Sequence, residues 1–404
     1  MKGGWQTKML GDVCCTIQDG AHESPQKLFS EPADGRFLYI TSKNIRTNYI
    51  DLGNVSYVDQ DFHNRIYPRC QPRVGDVLLT KDGASTGNVT LNTIDEPFSL
   101  LSSVCLIKTD PRVLEPAFLC YYLQSPDGLK SITGQMTGAA IKRIILRNIK
   151  LATIPLPPTI EQRRIVGVLD KALKGIASAK TNADKNRHSA RAIFRSALDA
   201  VFGGPGSGWT ETAIGKVVQF IDYRGKTPAK TASGIRLITA KNVKMGYIQE
   251  TPKEFIASAN YQSWMTRGIP EKGDVLFTTE APLANVAQLD TDEKVAFAQR
   301  IIIMRPDAAK LDSTFLKYML LSGPVQQRIR SQGTGATVQG IKASLLKLIA
   351  ISFPEKLSEQ KQIVDKLDRL SEETQRLELI YQRKLAEIEA LRSSLLHHAF
   401  TGNL

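Results

Sequence analysis

Two hydrophobic periods alternate along the chain. Residues 1 to about 157 and about 208 to 355 carry short β-branched and aromatic runs, among them Arg36-Phe37-Leu38-Tyr39-Ile40, Asp76-Val77-Leu78-Leu79 and Arg300-Ile301-Ile302-Ile303-Met304. Gly, Pro, Asn and Asp punctuate them, which reads as mixed α/β structure. Helices are expected at Pro116 to Gln124 and at Asp312 to Ser322. After Pro155-Leu156-Pro157-Pro158 the period lengthens. Thr159 is placed to cap a helix, with Gln162 in the position that reaches back to it, and no proline follows until Pro205. A second proline-free run extends from Ser358 to about Phe400 and carries Ile363, Leu367, Leu370, Leu377, Tyr381, Leu385, Ile388, Leu391 and Leu395. These steps of three and four, with one extra four near Tyr381, describe a heptad seam with a stutter. The first run has Ile165, Leu169, Ile176, Ala183, Ala190, Phe194 and Ala197 at similar spacing, around a polar middle from Lys180 to His188. At ~1.5 Å per residue each helix would be roughly 60 Å long, too long to hide its apolar stripe against one small domain. The economical solution is an antiparallel pair that carries the two modules apart at opposite ends. Separate oligomerisation through each helix is the competing solution.

The chain also repeats itself. Tyr39-Ile40-Thr41-Ser42-Lys43-Asn44-Ile45 returns as Leu237-Ile238-Thr239-Ala240-Lys241-Asn242-Val243, and Gly75-Asp76-Val77-Leu78-Leu79-Thr80 as Gly273-Asp274-Val275-Leu276-Phe277-Thr278, both at an offset of 198 residues. Phe118-Leu119 with Tyr121 returns as Phe315-Leu316 with Tyr318. A period of half the chain is a duplicated module and not a solenoid.

Composition adds a partner class. The 404 residues hold 53 Lys and Arg against 40 Asp and Glu, a net charge of +13, which favours a polyanion with nucleic acid first. There is no signal-like N-terminal run and no long uninterrupted apolar stretch, so a cytoplasmic protein without membrane contact is expected. Cys14, Cys15, Cys70, Cys105 and Cys120 are odd in number and confined to the first half, which excludes a disulfide or zinc framework common to both halves and favours reduced buried thiols.

Catalytic signatures fail one by one. Gly225-Lys226-Thr227 resembles the end of a phosphate-binding loop, but Phe220 stands where its first glycine belongs. Pro157-Pro158 lies between Leu156 and Thr159, unlike the Asn/Asp-Pro-Pro-aromatic motif of a base methyltransferase, and no Gly-rich nucleotide fingerprint follows a strand. Asp292-Glu293-Lys294 lacks the upstream Pro-Asp of a nuclease, and His22, His63, His188, His397 and His398 do not recur between the halves. No enzyme is expected in this chain alone.

The alternation of module, long helix, module, long helix resembles the DNA-specificity subunit of Type I restriction-modification systems. The same holds for the Gly-Asp-Val-Leu blocks, for Pro157-Pro158-Thr159-Ile160-Glu161-Gln162-Arg163-Arg164-Ile165-Val166, and for its echo Phe353-Pro354 through Glu359-Gln360-Lys361-Gln362-Ile363-Val364. The closing Ala399-Phe400-Thr401-Gly402-Asn403-Leu404 agrees, so the resemblance covers essentially the whole chain. It implies an α+β protein: target-recognition domains at 1–157 and 209–355, spacer helices at 158–202 and 356–404, and a Gly-rich linker at 203–208. It further implies that each domain reads one half of a split, asymmetric DNA site while the helix pair fixes the spacer. Two adenine-N6 methyltransferase subunits and restriction/translocase subunits would dock and bring S-adenosylmethionine, ATP and Mg²⁺, none of them held here. A coiled-coil scaffold with basic modules that bind RNA or protein is the alternative.

The duplication sorts candidate contacts. Residues kept in both halves suit frame, phosphate contact or docking, whereas base readout belongs where the halves differ. Lys43-Asn44 and Lys241-Asn242 suit either a phosphate contact or a turn closed by asparagine. Lys81 faces Thr279, and Asp82 faces Glu280, at the end of a shared strand. Gln135, Thr137, Lys142 and Arg143 stand opposite a loop with Thr334, Gln339 and Lys342, and Arg143 aligns with Gly340. A third loop, Gln18 to Lys27, faces Asp222 to Lys230 with Lys226. For each loop, plain surface structure is the competing reading.

Overall fold

The structure, a computed structural model, describes residues 4–134, 143–204, 206–223, 225, 227–335 and 339–404. It forms two compact units that do not follow chain order. One comprises Met1–Ala183 with Arg383–Leu404, and the other Asp184–Gln382. The division therefore falls inside both long helices, Thr159–Phe202 and Leu357–Thr401.

Each unit holds one module, and the modules share a plan. In the first, an antiparallel four-stranded sheet runs in the order Cys14–Asp19, Val104–Thr109, Val77–Thr80, Val89–Leu91. The second repeats it as Val218–Asp222, Ile301–Pro306, Val275–Thr278, Val286–Gln288. The central strands are apolar through Val77–Leu79, Val104–Ile107, Val275–Phe277 and Ile301–Met304, because both faces of the sheet are covered there. Val77, Leu79, Cys105 and Ile107 point to a core shared with the Pro116–Gln124 helix, whereas Leu78, Val104 and Leu106 point to a core under a three-stranded sheet. The second module sorts Val275, Phe277, Ile302 and Met304 from Leu276, Ile301 and Ile303 in the same way. The three-stranded sheets centre on Arg36–Ile40 and Ile235–Ile238.

The Gly-Asp blocks enter the central strands. Gly75 and Gly273 sit at φ +87° and +94°, the left-handed region that glycine adopts without cost. Asp76 then accepts from the Arg73 N–H and pairs with Lys108. Asp274 does the same with the Glu271 N–H and Arg305.

The long helices close both cores. In the first unit Ile165, Leu169 and Leu173 from the start of one helix meet Leu396, Ala399 and Phe400 from the end of the other. In the second unit Leu198 and Phe202 meet Val364 and Leu367. Pairing is antiparallel in each unit, from Lys180–Glu389 in the first to Asn186–Tyr381 and Arg191–Glu378 in the second. The expected seam needs one correction: Leu391 is exposed, and Leu396 is buried in its place. Among the described residues no helix is long and apolar enough to cross a membrane.

All five cysteines are free thiols, and Cys15 is exposed, contrary to the expectation of uniform burial. Burial pushes the Cys70 thiol up to about 11 and the Cys14 and Cys120 thiols up to about 12, which keeps them protonated and inert.

Candidate nucleic-acid interface

Gln162, read in the sequence as the partner of a Thr159 cap, has a different role, and the glutamine of the second Glu-Gln motif shares it. Gln162 is fully buried. Its Oε1 accepts from the Glu115 N–H at 2.8 Å, and its Nε2 donates to the carbonyl oxygens of Val113 (3.0 Å) and Pro157 (2.9 Å). Gln360 reproduces this, accepting from the Asp312 N–H at 2.8 Å and donating to Lys310 and Pro354 at 2.8 and 2.7 Å. Each therefore fastens its long helix to the loop that begins the module's Pro116–Gln124 or Ser313–Leu321 helix. From those helices Tyr121 and Tyr318 donate to Asp170 and Asp368 on the long helices. Burial first, then these hydrogen bonds, push both phenol groups well above their usual range. The shared motifs build the frame.

The candidate contact residues divide. Asn44 and Asn242 are buried. The Asn44 Oδ1 accepts from the Thr41 N–H at 3.0 Å while its Nδ2 donates to the Asp51 carbonyl at 3.0 Å. Asn242 does the same with Thr239 and Gln249, so both amides close turns and neither reaches outward. Lys43 and Lys241 stand exposed on these turns. Thr279 is buried as well, and its hydroxyl donates to the Arg300 carbonyl. Gln135, Thr137, Lys142 and Lys226 lie outside the described residues.

Loops far apart in sequence come together at the end of the central sheet. In the first module Lys81, only 5% exposed, sits between Asp82 at 2.9 Å and Asp19 at 3.6 Å. Asp82 also takes the Arg143 Nε at 2.7 Å, and Asp19 takes Arg69 at 2.7 Å and His22 at 3.1 Å. One network thus joins the loop after the Val77–Thr80 strand, the stretch that starts the Gln18–Lys27 loop and Arg143. Lys81 is a buried strut here rather than an exposed contact, because two carboxylates compensate its charge. The Lys43 turn joins the same hairpin through the Ser85 hydroxyl, which donates to the Ser42 carbonyl at 3.0 Å.

In the second module the same place is a cavity of about 380 Å³, lined by Gly225, Thr279, Glu280, Gln299, Arg300, Thr334, Gly340, Ile341 and Lys342. All three loops selected by sequence divergence contribute to it. Thr334 and Lys342 line it and are exposed, while Gln339, also exposed, precedes the lining Gly340.

Backbone pairing fixes which residues correspond. Asp82 bridges Arg143 as Glu280 bridges Gly340. The Lys81 N–H donates to Ser103 as the Thr279 N–H donates to Arg300. Position 82/280 is acidic in both modules, yet its arginine comes from different places. Arg143 supplies it in the first module, where the counterpart is Gly340, and Arg300 in the second, at 3.0 Å from Glu280, where the counterpart is Ser103. Arg300 escaped the sequence reading although its contrast with Ser103 was visible once the strands were aligned. Asp19 and Arg69 were also missed as network members, since only folding joins them.

A two-module frame with divergent loops gathered at one edge invites comparison with known proteins. The chain matches the family described as Type I restriction modification DNA specificity domain twice, over residues 2–185 and 207–390. The chain belongs to this family. Among relatives of this specificity family, the MjaVIII specificity subunit of Methanocaldococcus jannaschii is 21% identical, with 99% of this chain and 93% of that one covered. The StySPI specificity subunit of Salmonella potsdam is 22% identical, over 99% and 89%. Of solved structures, one chain from work on assembly and conformational transition of the type I R-M system matches with a TM-score of 0.79 at 21% identity, covering 100% of this chain and 99% of that one. The HsdS subunit of Thermoanaerobacter tengcongensis gives 0.57 at 20% identity, over 100% and 98%. These two likenesses establish the fold.

Proposed function

We propose that this chain is the non-catalytic, DNA-reading subunit of a cytoplasmic Type I restriction-modification complex. Each module reads one half of a bipartite, asymmetric duplex site, and the antiparallel helices set the spacer. The chain docks two adenine-N6 methyltransferase subunits and restriction/translocase subunits, which bring S-adenosylmethionine, ATP and Mg²⁺. One observation carries this reading: in each module the loops that differ between the halves converge at one edge of the sheet, while the motifs that recur are consumed by the frame. A readout surface needs side chains that change while their support stays fixed. The net charge of +13 supplies the sequence-independent attraction to a polyanion. Among the described residues nothing favours the scaffold alternative.

Exchange of residues 1–157 for another recognition module, followed by mapping of methylated adenines, tests the reading. One half-site should change and the other persist; a change in both refutes modular recognition. A complex that prefers no duplex over competitor DNA at moderate salt refutes DNA reading itself. Methyl transfer by the isolated chain overturns its non-catalytic part.

A further inference from the structure

The displaced arginine identifies a pair of reading side chains; this step rests on the half-site reading proposed above. Both arginines approach their acid through Nε, at 2.7 Å for Arg143 on Asp82 and 3.0 Å for Arg300 on Glu280. A guanidinium carries five N–H donors in a rigid plane. The Nε–H of Arg143 donates to Asp82, the Nε of Arg300 faces Glu280 as an ion pair, and the terminal nitrogens of both make no hydrogen bond among the described residues. Both side chains stay open to solvent, 59% exposed for Arg143 and 44% for Arg300. Two parallel donors match two acceptors on one rim, and in duplex DNA the O6 and N7 of guanine present that pair in the major groove. Phosphate accepts the same fork. At Arg300 the Glu280 carboxylate favours the base edge, because it offsets the charge that attracts phosphate but does not impair hydrogen bonding to a neutral base edge; at Arg143, where Asp82 is shared with Lys81, the backbone correspondence of positions 82 and 280 extends the assignment. Arg300 carries a further mark: it is held at φ +73°, a left-handed conformation that a long side chain rarely adopts and that clusters at functional sites.

We propose that Arg143 and Arg300 are specificity-determining residues, each reading one guanine in its module's half-site, with Asp82 and Glu280 as positioning residues. The acid is kept in place and the arginine moved, so the same chemical fork is delivered from two directions to two different sequences.

The test uses the full chain in complex with its methyltransferase partner, acting on a randomised duplex pool with methylated positions read by sequencing. Arg143→Ala should lower the preference for one G·C pair in one half-site by about 10- to 100-fold and leave the other half unchanged, and Arg300→Ala should do the same in the other half. Arg143→Lys and Arg300→Lys keep the charge but lose the fork, and should relax the same pairs. Glu280→Gln should relax the Arg300 pair partially, with thermal unfolding unchanged. Lysine variants that retain wild-type preference, or alanine variants that weaken every sequence equally, assign the arginines to phosphate and overturn the proposal. A wild-type complex that shows no bipartite preference refutes the half-site reading instead, so the two failures are distinct.

Discussion

Single buried polar groups carry much of the frame. Gln162 and Gln360 each spend a whole amide on three backbone partners. Replacement by alanine should cost about 1–3 kcal/mol in denaturant unfolding, since two carbonyls and one N–H lose their partners in a buried site. A cost below about 0.5 kcal/mol for either would show that water replaces the amide. Another such group is His63, 4% exposed and stacked 3.8 Å from Phe37, with Nδ1 2.9 Å from the Ser99 hydroxyl. Burial lowers its pKa below the ordinary 6.5. The unfolded chain therefore takes up a proton first as pH falls. The stabilisation is complete above about pH 6.5 and is lost progressively as pH drops toward the lower folded value. His63→Gln, which cannot titrate, should flatten the pH dependence of unfolding below pH 6.5; an unchanged profile would remove His63 from the linkage.

At the scale of elements, local signals were legible and long-range ones were not. The helix at Pro116–Gln124 could be read because proline sits in its first turn, and the Ser313–Leu321 helix because Asp312 caps it. Gln162 was misread because its partners Glu115 and Val113 lie 47 and 49 residues away, while a capping box lies within one turn. Leu391 was assigned to the seam on spacing alone. At that turn, however, the half-buried Arg392 donates to Gln124, and the apolar contact falls on Leu396. The contrast is measurable: Leu396→Ala should cost about 2–5 kcal/mol, as for a core leucine, and Leu391→Ala about 0.5 kcal/mol or less. Equal costs would restore the spacing-based seam. The candidate contacts follow the same logic. Sequence divergence located the loops, but it could not distinguish the buried Lys81 and Thr279 from the exposed Lys342, because burial of a loop residue depends on what other loops bring to it.

For the molecule as a whole, the proposed role of the helix pair in setting the spacer has a direct test. Removing a matched heptad from both helices should shift the spacer between half-sites without altering either half, read again from methylated adenines; an unchanged spacer would count against helices that set it. The discontinuous first unit has a different consequence, in time rather than in space. Residues 383–404 leave the ribosome after the entire second module has been made, yet Leu396, Ala399 and Phe400 belong to the core of the first. The module synthesised first is thus the one finished last. Until then Ile165, Leu169 and Leu173 lack the apolar contacts that Leu396, Ala399 and Phe400 supply.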